Sequence, residues 1–154
     1  AVTLMFRQEY DQRLDDRPEY KVYQFHEWLH DELTNNNLEL PSLEENASYN
    51  LFAHCSEKTS MPATPKQWGD IFEAFGQKLK VEKTGCCGMS GLYGHEVENE
   101  KTSEKLFDMS WKKSAEKAGS KNMLATGFSC RCQTKRYAGF KPQHPVEALA
   151  KLLS

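Results

Sequence analysis

The chain has 154 residues, 38% hydrophobic and 27% charged, with 20 Lys and Arg against 22 Asp and Glu. That length suits one domain whose core needs no disulfide support. A mean hydropathy of −0.74, with no apolar run near the roughly 20 residues of a bilayer span, argues against a transmembrane segment. The net charge of −2 and a pI near 6.2 argue against a phosphate-neutralising nucleic-acid binder.

Residues 2 to 14 read as a helix, with Val2, Met5, Phe6 and Tyr10 on one face. Arg17-Pro18 interrupts it. A second helix is expected over 21 to 33, with Val22, Phe25, Trp28, Leu29 and Leu33 along its buried stripe. Residues 34–48, with four Asn, one Pro and two Ser, read as a linker. The apolar run from Tyr49 to His54 reads as a strand ending at Cys55. Thr64-Pro65-Lys66-Gln67 supplies an N-cap, a helix-opening Pro and a capping-box Gln. Trp68, Ile71, Phe72, Phe75 and Leu79 then follow at helical spacing.

Leu79 to Thr84 reads as a second strand, ending at the pair Cys86-Cys87. Residues 97 to 118 read as a long helix burying Leu106, Phe107, Trp111, Ala115 and Ala118, with Gly119 as its stop. Asn122 to Thr126 is the third strand, and Pro145 opens a last helix reaching about 153. Strand and helix alternation of this kind predicts an α/β fold: a small parallel sheet of three or four strands with helices on both faces. We divide the chain into a helical lead-in and linker, 1–48, and an α/β domain, 49–154.

Five cysteines, an odd number with two adjacent, make a poor disulfide framework. No secretory-signal pattern is visible in the first fifteen residues, so a cytoplasmic location is expected, where clustered thiols more often serve metal or redox chemistry. Cys55, Cys86, Cys87 and Cys130 each follow an expected strand. In an open α/β sheet the carboxyl ends of the strands line one crevice, so the cysteine site is expected at that edge. Soft thiolates suit zinc, copper(I) or iron–sulfur clusters. Gly85, Gly88, Gly91 and Gly94 punctuate the second cysteine loop and allow backbone amides to turn toward a charged centre. Adjacent Cys86 and Cys87 fit a multi-iron cluster more easily than one tetrahedral zinc. The plainer alternative is a set of buried thiols packed beneath loops. His54, His95 and Arg131 flank these loops and are candidates to support the site. The alternative for them is ordinary hydrogen bonding and surface charge.

The string Gly85-Cys86-Cys87-Gly88-Met89-Ser90-Gly91, with Cys55 upstream and Cys130 and Cys132 downstream, resembles the cysteine-rich CCG domain of iron–sulfur oxidoreductase subunits. Phe52-Ala53-His54-Cys55-Ser56-Glu57-Lys58-Thr59, Gly91-Leu92-Tyr93-Gly94-His95-Glu96 and Gly127-Phe128-Ser129-Cys130-Arg131-Cys132-Gln133 resemble the C-terminal segment of YdiJ-like FAD-linked oxidoreductases. Those proteins resemble D-2-hydroxyglutarate and D-lactate dehydrogenases. The resemblance implies metal ligands Cys55, Cys86, Cys87, Cys130 and Cys132, with His54, His95, Gly85, Gly88 and Arg131 around them. It implies a 4Fe-4S type cluster in this segment, and FAD and a ferredoxin-like segment upstream in the same polypeptide. It also implies an electron acceptor, a D-2-hydroxy-acid substrate, and a cytoplasmic location with peripheral contact to the inner membrane as a further option. The segment alone is not expected to be catalytic, and 1–48 would be the remnant of a preceding half-domain. Cys130-Arg131-Cys132 departs from the family's Cys-x-x-Cys ending, which leaves Cys132 optional.

Two other functions compete. One is a structural or docking domain whose cysteines bind zinc or stay free. The other follows from His26-Glu27-Trp28-Leu29-His30, a literal H-E-x-x-H zinc-protease string. The helical stripe opposes it: Trp28 and Leu29 are expected to be buried, Glu27 exposed, and His26 and His30 at the margin or beyond.

Overall fold

A computed structural model of the chain describes residues 2–13, 21–36, 38, 40, 41 and 46–154. The Arg17-Pro18 interruption and part of the expected linker lie outside the described residues. Three strands form one parallel sheet: β1 (Ser48–Phe52), β2 (Lys78–Val81) and β3 (Met123–Ala125), in the order β2-β1-β3. Leu51 pairs with Val81 on one side and with Leu124 on the other. Because side chains alternate across a pleat, Leu51 and Leu124 enter one core while Phe52, Met123 and Ala125 enter another.

The helices complete the two layers. Residues 2–13 form α1, with a π-helical stretch at Phe6–Tyr10, and α2 is Phe25–Asn35. A short α3, Cys55–Ser60, follows β1, and α4 (Thr64–Ala74) brings Trp68, Ile71 and Phe72 onto Leu51. After β2, α5 (Glu100–Phe107), a π-helical turn (Asp108–Lys112) and α6 (Lys113–Asn122) run across the opposite face. There Phe107, Trp111 and Ala115 meet Phe52. α7 (Phe128–Ala138) follows β3, and α8 (Pro145–Leu152) returns to the first face through Ala148 and Leu149. The sheet therefore carries helices on both faces, as expected.

Several expectations need correction. Gly76, at φ +69°, ends α4 in a left-handed turn, with Gln77 N–H donating to Phe72 O and Gly76 N–H to Glu73 O. Leu79 therefore belongs to β2 alone. Thr64 does not cap α4 with its hydroxyl; it is buried and faces His26 Nε2 at 3.1 Å. The long helix is broken into 3₁₀, α and π segments, and Leu106 is exposed while Ser103 is buried. Gly119, at φ +71°, does break the helix.

In α2 the buried face is rotated from the expected stripe. His26 and Leu29 are inside, whereas Phe25 and Trp28 are 49% and 45% exposed and pack against each other. Glu27 is half-buried, not exposed, because Arg7 pairs with it at 2.5 Å and Gln24 N–H donates to it at 2.8 Å. Burial pushes the Glu27 carboxyl up, but Arg7 and the Gln24 amide outweigh it and hold the group below its ordinary value.

Candidate functional site

The order β2-β1-β3 places the reversal of chain direction between β1 and β3, where the carboxyl ends open a crevice. Cys55 is the first residue of α3, directly beyond β1. Cys130 lies in the first turn of α7, beyond β3. Cys86 and Cys87 lie in the loop beyond β2, the strand on the other side of β1. Cys55 and Cys130 thus sit at helix starts rather than in loops.

The four thiols bear on one another. Burial pushes the Cys55 thiol up, and the neighbouring Cys86 adds to it. Interaction with the neighbouring Cys130 thiol draws Cys87 down to about 7 despite burial. Cys130 is pushed up in return, first by Cys87, then by burial and by the charges of Cys55 and Cys86. Cys87 and Cys130 are buried, and Cys55 and Cys86 are half-buried. Cys132, half-buried, lies two residues beyond Cys130, so a helix turns it by roughly 200° away from that thiol. Among the described residues no three His, Cys, Asp or Glu side chains form a ready grip for a single metal ion.

The cysteine loop is held by α5 and the π-helical turn that follows it. Gly85 N–H donates to Ser110 Oγ at 2.8 Å, and Trp111 Nε1–H donates to Gly85 O at 3.0 Å. Both side chains come from the π-helical turn, a geometry that recurs at functional sites. Gly88, at φ +90°, donates its N–H to Cys86 Sγ at 3.3 Å and accepts from Ser103 Oγ at 2.9 Å. A Cβ at Gly88 would collide with the Ser103 carbonyl oxygen. Lys58 of α3 donates to Thr84 O at 2.5 Å and ties the β1 exit to the β2 exit.

The flanking candidates separate. His54 caps α3 by accepting from Ser56 N–H at 3.3 Å, and its Nε2 lies 3.4 Å from Ser129 Oγ. Burial keeps its imidazole below the ordinary value. His54, Ser56, Glu57, Thr126, Phe128 and Ser129 line a hollow of about 370 Å³ that the thiols do not border. His95 is exposed on the turn Tyr93–His95. Arg131 is held by Pro142 O at 3.0 Å and by the Glu147 carboxylate at 2.8 Å, which commits it to the start of α8. Sequence reasoning missed Ser103, Ser110, Trp111 and Gln133, which act on the loop from distant helices. The histidines of the H-E-x-x-H string are engaged separately, His26 by Thr64 and His30 by Asp70 at 3.1 Å.

No protein-family profile matches the chain, and no solved structure matches it significantly. It is 43% identical over 159 residues to D-2-hydroxyglutarate dehydrogenase of Haemophilus influenzae, covering 99% of this chain and 16% of that protein. The protein of the same name from Pseudomonas putida is 45% identical over 151 residues, 97% of this chain and 14% of its own length. That from Escherichia coli is 40% identical over 154 residues, 99% of this chain and 15% of its own. The chain therefore spans about 15% of the length of these curated relatives. Along nearly its whole length it is similar to one segment of much larger D-2-hydroxyglutarate dehydrogenases.

Proposed function

We propose that this chain is the electron-transfer part of a larger FAD-linked D-2-hydroxy-acid dehydrogenase. In this reading Cys55, Cys86, Cys87 and Cys130 hold an iron–sulfur centre of the 4Fe-4S type that receives electrons from a flavin elsewhere in the same polypeptide. An electron acceptor outside the chain takes them onward. The proposal is supported by the placement of four cysteines beyond three parallel strand ends, where their thiols act on one another's ionisation.

The donor set fits such a group. Four soft sulfurs suit iron with sulfide, and consecutive Cys86 and Cys87 are better shared among several irons than given to one ion. The Gly88 N–H on Cys86 Sγ is the kind of backbone donor that stabilises a thiolate-bound cluster. When bound, the centre would accept and release single electrons. The protein's own part is to seal and orient it. Buried Cys87 and Cys130 would lie on the side closed to water, and half-buried Cys55 and Cys86 on the more open side. Similarity to D-2-hydroxyglutarate dehydrogenases supports the 2-hydroxy-acid class.

The test is isolation of the 154-residue chain under anaerobic conditions, with iron, acid-labile sulfide and electron paramagnetic resonance measured together. Iron with matching sulfide and a reducible signal is expected. Stoichiometric zinc without iron would replace this reading with a structural or docking domain.

A further inference from the structure

The buried face of α7 carries Cys130, Gln133 and Thr134 at i, i+3 and i+4, each 1% exposed or less. A fully buried glutamine in the layer that also delivers a thiol needs an explanation, since buried polar groups cost stability unless bonded. Gln133 Nε2–H donates to Ser103 Oγ at 2.6 Å, and Ser103 Oγ–H donates to Gly88 O at 2.9 Å. Gly88 N–H then donates to Cys86 Sγ. Two hydrogen bonds therefore link the helix of Cys130, through α5, to the Gly88 carbonyl, and the Gly88 N–H on Cys86 Sγ stands on the other side of the same Cα. The packing around it is tight. A Cβ at Gly88 would stand 3.1 Å from Gln133 Nε2, and one at Gly94 would stand 2.7 Å from Ser103 Oγ. Gln133 Oε1 meanwhile has no donor partner among the described residues, so the side chain gives up one bond to keep this orientation.

We propose that Ser103 and Gln133 are positioning residues that hold the Cys86-Cys87-Gly88 loop in register with the helix bearing Cys130. They touch no thiol themselves. Ser103 fixes the Gly88 carbonyl, and with it the left-handed turn that aims the Gly88 N–H at Cys86. Gln133 fixes the direction of the Ser103 hydroxyl, which could otherwise rotate away. The clamp is local to the loop: Cys132 stands roughly 200° around α7 from Cys130. Its effect on thiol geometry stands without a cluster; its effect on a reduction potential rests on the iron–sulfur reading.

The experiment compares the wild-type 154-residue chain with Ser103→Ala and Gln133→Met, the second keeping side-chain length while removing the donor. In the reduced, metal-free chain, iodoacetamide labelling at one pH is followed cysteine by cysteine by mass spectrometry. Labelling of Cys86 and Cys87 is expected to accelerate several-fold in both variants, with Cys132 and the far-ultraviolet circular dichroism unchanged. Unchanged rates at Cys86 and Cys87, or equal acceleration at Cys132, would overturn the proposal. If Ser103→Ala does not fold, Gln133→Met carries the same comparison. After anaerobic loading with iron and sulfide, losing the oriented Gly88 N–H is expected to move the reduction potential to more negative values. A chain that takes up no cluster would sink the electron-transfer reading, and the labelling result would still decide the clamp.

Discussion

Gly127 lies against the His54 ring with no space for a side chain between them. A Cβ there would stand 3.0 Å from His54 Cγ and 2.9 Å from Cys130 Sγ. The exits of β1 and β3 meet at this point, and His54 N–H completes the join by donating to Thr126 Oγ1 at 2.9 Å. The backbone at Gly127 is ordinary, at φ −80°, so the requirement is space alone. Gly127→Ala must displace the imidazole or the thiol. A loss of about 1–3 kcal/mol is expected from such overpacking, with faster alkylation of Cys130. A urea midpoint and a Cys130 labelling rate both equal to wild type would show that the contact is slack.

The thiols should separate by role. Serine in place of Cys55, Cys86, Cys87 or Cys130 is expected to lower the iron retained after anaerobic loading, each to well under half of wild type. Cys132→Ser should retain nearly all of it. Iron and sulfide analysis on the five single variants gives the answer. Loss of iron from Cys132→Ser equal to the other four would reassign the fourth ligand.

Acid should weaken the fold through His26. It is 3% exposed, stacked on Trp68 with ring centres 5.4 Å apart and bonded to Thr64. Burial, the leading cause, holds its imidazole below the ordinary value of 6.5, against the pull of Glu27 and with help from Arg7, His144 and His30. The folded chain thus binds this proton less tightly than the unfolded one. Stability is whole above pH 6.5 and falls as the pH drops through the lowered value. Half-buried His144 acts in the same direction. The urea midpoint should fall between pH 7.5 and 5.5, and His26→Gln should flatten that fall while lowering the midpoint at pH 7.5. An equally steep fall in the variant would remove His26 from the account.

Phe52 joins the sheet to the thiol layer. It is fully buried, its ring centre 5.0 Å from that of Trp111, in the same cluster as Cys87 and Cys130. Phe52→Ala should cost about 3–5 kcal/mol and reduce iron retention as well. Leu51→Ala, on the opposite face of the same strand, should destabilise the fold while leaving iron retention closer to wild type. Equal iron loss from the two variants would mean that global stability, not the local layer, controls the site.

Apolar periodicity made α4 legible, because Trp68, Ile71 and Phe72 bury plain hydrocarbon at regular spacing; a short apolar run marked β1, and Pro145 marked α8. The same reasoning aligned three strand ends with four cysteines in a parallel sheet, while the tertiary structure decided that β1 lies at its centre. Nothing in the periodicity announced α3 or α7. The buried face of α7 is a thiol, an amide and a hydroxyl, Cys130, Gln133 and Thr134, so hydrophobic counting finds no stripe there. Only partners on another helix make that polar face stable.

α2 shows the same division. Phe25, Trp28, Leu29 and Leu33 make a valid stripe, and so do His26 and Leu29; hydrophobicity favours the first and packing chose the second. Trp68 offers a ring to His26 and Thr64 offers its hydroxyl, which removes the penalty for burying an imidazole. Composition and spacing therefore fixed which residue types could meet at the carboxyl edge of the sheet. Which thiols face one another, which glycine peptide is clamped, and which histidines are buried depend on contacts between residues far apart in the chain. Such contacts leave no local trace, because each partner is an ordinary polar residue until the fold supplies the other.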